Sequence, residues 1–63
     1  MPMNKKLIAE TFDKKLKEHQ LKYSRGEVDR EWFITYMQGM LASALELNLG
    51  DTARRYNEIL GSL

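Results

Sequence analysis

From Phe33 to Leu49 the chain reads FITYMQGMLASALELNL, a stretch whose one charge is Glu46. The rest is crowded with charge: 10 Lys and Arg and 9 Asp and Glu in 63 residues. On a helical wheel Phe33, Met37, Met40, Ala44 and Leu47 follow a 4-3-4-3 spacing, the seam of a helix–helix contact. Ile34, Leu41 and Leu45 lie on one flank, and Trp32, Tyr36, Gly39 and Ser43 on the other. The apolar arc spans roughly two-thirds of the circumference, whereas one helical neighbour needs a stripe of about 100°. A helix of this kind is expected to be central, with one flank left over. An uncovered apolar patch marks an interaction site.

The chain is too short for more than one domain, and residues 1–63 are expected to form a single helical one. A chain of this size buries only about 60% of the surface its unfolded form exposes, so its core is marginal. Domains this small lean on disulfides, a metal or a partner subunit. There is no cysteine, and one histidine stands among scattered carboxylates. Disulfides and thiolate sites are therefore excluded, and neither a metal nor a cofactor is expected. Oligomerisation is the remaining support. The absence of cysteine fits a reducing cytoplasm. The opening MPMNKKLIAETFDKK has no apolar run suited to a signal peptide. Gln38, Glu46 and Asn48 would each be costly in lipid, so no membrane span is expected.

The glycines divide the chain. A first helix is predicted over about 5–23, with Asn4 as N-cap. Its stripe is Ile8, Phe12, Leu16, His19 and Tyr23. Its other face carries Glu10–Lys14, Asp13–Lys17 and Glu18–Lys22, acid-then-base pairs at i,i+4. Leu7 and Leu21 fall among these charges. Gly26 reads as a left-handed cap. Asp29 reads as the next N-cap, with Val28 and Phe33 at staple positions. The connection YSRGEVDREWF resembles the turn of short bacterial helical-hairpin oligomerisation modules, with Gly, acid, aliphatic and Asp followed by an aromatic; no function follows from that likeness. A second helix is predicted over about 30–48, with Gly50 as its cap. A third, over about 52–60, uses Ala53, Tyr56, Ile59 and Leu60 as its inner face. The expected fold is all-α: an antiparallel hairpin with a short third helix, a small three-helix bundle completed by dimerisation.

The candidate interface is Trp32, Tyr36, Gly39, Met40, Ser43 and Leu47. Trp and Tyr offer large area with few rotors and a polar tip. Gly39 and Ser43 stand four apart, where small residues let backbones approach. A mid-helix glycine costs about 1 kcal/mol against alanine, so a packing reason is expected, either a partner or a neighbouring helix of the same chain. His19 reads as a histidine at the core edge with one nitrogen hydrogen-bonded, since no nucleophile or ligand set accompanies it.

Charge is asymmetric. Residues 1–26 hold seven bases and three acids, a net of +4, and residues 27–63 hold three bases and six acids, a net of −3. Lys5, Lys6, Arg54 and Arg55 are the candidate contacts for nucleic acid, with the third helix in a groove. Asp51 and Glu58 on that helix weigh against it. No phosphate-cradling loop, nucleophile elbow or carboxylate pair is present, and so small a chain lacks room for a substrate pocket. The expectation is a non-catalytic, cytoplasmic interaction protein that pairs with itself, with a larger protein, or with both. By analogy of class, regulators, inhibitors and adaptors of bacteria and their phages often have this size and composition. A nucleic-acid-associated regulator is the alternative.

Overall fold

Asn4 sets the start of the first helix. Its side-chain oxygen accepts the Lys6 N–H at 2.9 Å, one of the donors a helix start leaves orphaned. In this computed structural model, which describes residues 4–63, α1 runs over Lys5–Ser24, α2 over Arg30–Glu46 and α3 over Gly50–Gly61. The described residues are all-helical, with no strand among them.

Two left-handed residues make the corners. Gly26 has φ +74°, the Glu27 N–H reaches the Lys22 carbonyl at 2.9 Å and the Gly26 N–H reaches Tyr23 at 3.1 Å. That pair of bonds closes α1 as a Schellman motif. Asp29 then caps α2, accepting the Trp32 N–H at 2.7 Å. The second corner differs from the expectation that Gly50 would cap α2. Asn48 takes the left-handed position at φ +58°, with the Leu49 N–H on Ala44 at 2.8 Å and the Asn48 N–H on Leu45 at 3.1 Å. Asparagine tolerates this region because its short polar side chain can bond locally. The helix therefore ends at Glu46, two residues early, and Gly50 becomes the first residue of α3. The shift has a packing consequence: Leu49 is turned into the core and Thr52 follows it.

The order is up, down, up. His19 and Tyr23 of α1 meet Tyr36 and Phe33 of α2, so these helices are antiparallel. Arg30 at the start of α2 donates to the Leu63 backbone oxygen at 2.9 Å, so α3 returns along α2. The bundle measures 39 × 18 × 14 Å. Its core is Phe12, Leu16, Phe33, Met37, Ala44, Leu49, Ala53 and Tyr56. Tyr56 ties α3 to α1: it is fully buried, its hydroxyl donates to the Phe12 carbonyl at 2.6 Å, and its ring meets Phe12 edge-on at 6.3 Å. A buried hydroxyl without a partner would cost about 1–3 kcal/mol. Burial raises the Tyr56 pKa above its ordinary value, with the Tyr36 and Asp13 charges adding to the rise and Arg55 opposing it.

The three i,i+4 ion pairs expected on α1 do not close. Lys15 meets Glu18 at 3.9 Å instead, and Asp13 turns to Arg55 of α3 at 2.9 Å. An exposed i,i+4 pair is worth only about 0.3–0.5 kcal/mol, so a cross-helix arginine easily competes for Asp13.

Candidate interaction surface on the second helix

The inner seam of α2 is narrower than its 4-3-4-3 spacing implies. Phe33, Met37 and Ala44 are buried, Met40 is half-buried, and Leu47 is 38% exposed. Leu47 is the C-cap, and the Asn48 corner hands its core place to Leu49.

On the α1 side a set of rings covers part of the flank. Tyr36 stacks on His19 with centroids 3.8 Å apart and planes 16° from parallel. Trp32 lies 5.4 Å from Tyr36 at 7° and 5.6 Å from His19 at 14°. The His19 Nδ1 is 2.7 Å from the Lys15 carbonyl, so that nitrogen carries a hydrogen and donates. His19 is buried at the core edge, held by its own helix, and it fixes the two rings of α2. Burial, and secondarily the Glu18 carboxylate, raises the Tyr36 pKa. Trp32 is the outer member and stays 44% exposed.

Beyond the rings the face opens. Gly39 is exposed, and a Cβ built on it would meet nothing within 4 Å. Neither α1 nor α3 needs that glycine, so packing among the described residues does not explain it. Ser43 is exposed as well, its hydroxyl donating back to the Gly39 carbonyl at 3.1 Å. Of the six candidate residues, Trp32, Gly39, Ser43 and Leu47 lie exposed while Tyr36 and Met40 are half-buried. The flank is thus left over only in part, because α1 reaches Tyr36.

The opposite flank belongs to α3, which packs more extensively on α2 than α1 does. Ile34 and Leu41 are half-buried, and Leu45 is 60% exposed. Leu41, Leu45, Ala53 and Asn57 border a shallow recess of about 390 Å³ between the two helices.

The cationic candidates divide. Lys5, Lys6 and Arg55 border one recess of about 330 Å³ where α1 and α3 begin. Arg54 lies elsewhere, beside Leu41 and Leu45. Both arginines are engaged: Arg54 with Asp51 at 2.6 Å, and Arg55 with Asp13 at 2.9 Å and with Thr52 Oγ1 at 3.3 Å. Among the described residues no group of three His, Asp or Glu could hold a metal ion, and no helix is long and apolar enough to cross a membrane. Compared with protein-family models, curated proteins and solved structures, the chain matches none of them.

The ring stack was the feature missed in the sequence. His19 and Tyr36 stand equally far from the Gly26–Asp29 corner, and Tyr23 and Phe33 nearly so. An antiparallel hairpin folded at that corner brings those pairs level, so the signal was present once the turn was placed.

Proposed function

We propose that the chain is a small, non-catalytic protein–protein interaction module, a homodimerising regulator, inhibitor or adaptor of bacterial or phage type. It acts through the outer face of α2, by pairing with itself, with a larger protein, or with both. The observation that carries this reading is the open face itself: no charged residue lies between Trp32 and Leu45, yet Trp32, Gly39, Ala42 and Ser43 all face solvent. Exposed helix faces are ordinarily charged, as α1 shows. We place the protein in the cytoplasm on its lack of cysteine.

Trp32 is the one tryptophan of the chain, so its emission reports this face alone. On raising the protein concentration, or on adding a partner, the emission shifts to the blue as the indole leaves water. A tryptophan that stays solvent-exposed in the associated state removes the face from the interface.

The second reading, a nucleic-acid-associated regulator, draws on the recess that gathers Lys5, Lys6 and Arg55. The ion pairs of Arg54 and Arg55 count against it, because each phosphate contact must first displace a carboxylate. Duplex DNA is expected to bind weakly and without sequence preference at physiological salt. Tight, site-specific binding with a steep salt slope would reverse the order of the two readings.

A further inference from the structure

We propose that the partner fitted by the outer face of α2 is a second copy of the chain, lying antiparallel across a two-fold axis at Gly39. The inference rests on the reading of that face as an interaction surface.

Side-chain size is divided about Gly39. The rings of Trp32 and Tyr36 stand on one side, and Ala42 and Ser43 on the other. An antiparallel two-fold at Gly39 sets positions equidistant from it level with one another. Tyr36 comes opposite Ala42, Thr35 opposite Ser43, and Trp32 opposite Glu46 with Leu47 next to it. Each copy's rings then cover the other's small residues. Two exposed large apolar side chains of this face, Trp32 and Leu47, come together at each end. At the centre the axis passes where no Cβ exists and nothing else lies within 4 Å, so the backbones are free to approach. A parallel pairing would set rings against rings and leave a gap over the small residues.

Charge decides in the same direction. Between Trp32 and Glu46 the strip carries no charge to pair with a charged partner, and a second copy brings the same uncharged stretch. A parallel pair would place the two Glu46 carboxylates side by side at the seam edge. The antiparallel pair separates them by about 21 Å along the helix axis, well beyond a Debye length of about 8 Å. Surface area also leaves room for a partner. The chain exposes 4676 Å², against about 4,200 Å² for a compact chain of its 7.4 kDa. Its radius of gyration is 11.9 Å, against about 10.6 Å for 63 residues.

Because the chain has no cysteine, single cysteines introduced in the full chain report one position each. The test is mild oxidation of Thr35→Cys, of Ser43→Cys and of their equimolar mixture. Antiparallel pairing holds like positions about 12 Å apart along the axis, beyond disulfide reach, and brings 35 level with 43. The mixture should give the 35–43 cross-link in about tenfold excess or more over either self-cross-link. Preferential 35–35 and 43–43 cross-links would overturn the antiparallel arrangement while leaving self-association standing. A wild-type chain that sediments as a monomer, with no cross-link from the cysteine variants, would overturn the second copy as occupant; the surface reading then rests on Trp32 emission with a larger partner. A 35–43 cross-link that persists undiminished in a Trp32→Ala background would uphold the antiparallel contact about Gly39 and overturn Trp32 as its anchor.

Discussion

Met37 and Gly39 lie two residues apart on one helix, in one uncharged stretch, and meet opposite surroundings. Met37 has no solvent exposure and belongs to the core, while Gly39 faces open space. The same contrast holds for Phe33 and Trp32, neighbouring aromatics of which one is buried and the other 44% exposed. Hydrophobicity does not separate the two faces of α2; the angle around the helix does. The inner face is shaped by contacts that exist in one chain. The outer face keeps a half-exposed Trp32 and a bare glycine against which no described residue packs.

The contrast is open to attack from several directions. Met37→Ala removes buried volume from the inner face and is expected to cost about 2–5 kcal/mol of folding stability, read by urea unfolding. A loss as small as that of an exposed residue would erase the distinction between the faces. Tyr56→Phe removes the hydroxyl that α3 gives to Phe12, with an expected loss of about 1 kcal/mol.

Tyr56 also sets an alkaline limit. Its folded pKa is raised above the ordinary 10.0, chiefly by burial. The fold therefore favours the neutral phenol. That contribution is fully present below pH 10 and is lost as pH rises from there toward the raised folded value. Stability measured across that range should fall for the wild type, and less steeply for Tyr56→Phe.

Gly39→Ala should act in the other direction. With open space around the Cβ, it is expected to stabilise the monomer by about 1 kcal/mol, the helix-propensity difference. A destabilised monomer would mean that another part of the chain packs there after all. The smallest effect is expected for Leu45→Ala, an exposed leucine on the α3 side, within about 0.5 kcal/mol for stability.

Much of the architecture was legible because local signals agreed. Asn4 and Asp29 stand where caps are needed, Gly26 supplies the left-handed corner, and the Phe12–Leu16–His19 stripe has one period. The second corner misled because Asn48 and Gly50 both suit a left-handed position. Propensity favours glycine, and only the burial of Leu49 decides for asparagine. The ion pairs on α1 were illegible for a related reason. Asp13 has an intrahelical partner at the right spacing, but Arg55 arrives from α3, 42 residues away. The candidate surface was legible as an arc too wide for its neighbours. Its true edge was not, since His19 had to be placed opposite Tyr36 before that tyrosine could be counted as covered. The open space at Gly39 is likewise a fact of three dimensions.

Sedimentation of wild type and Trp32→Ala side by side, at tens of micromolar, tests most directly whether the outer face of α2 exists for a partner. The wild type should run heavier than its 7.4 kDa monomer. Trp32→Ala should run as a monomer with helicity unchanged, an association weakened by about 2 kcal/mol or more. A wild type that stays monomeric at that concentration would contradict self-association through this face. A Trp32→Ala chain that loses its helices while its folded fraction still associates would show that Trp32 is core, and would move any interface to Ile34, Leu41 and Leu45.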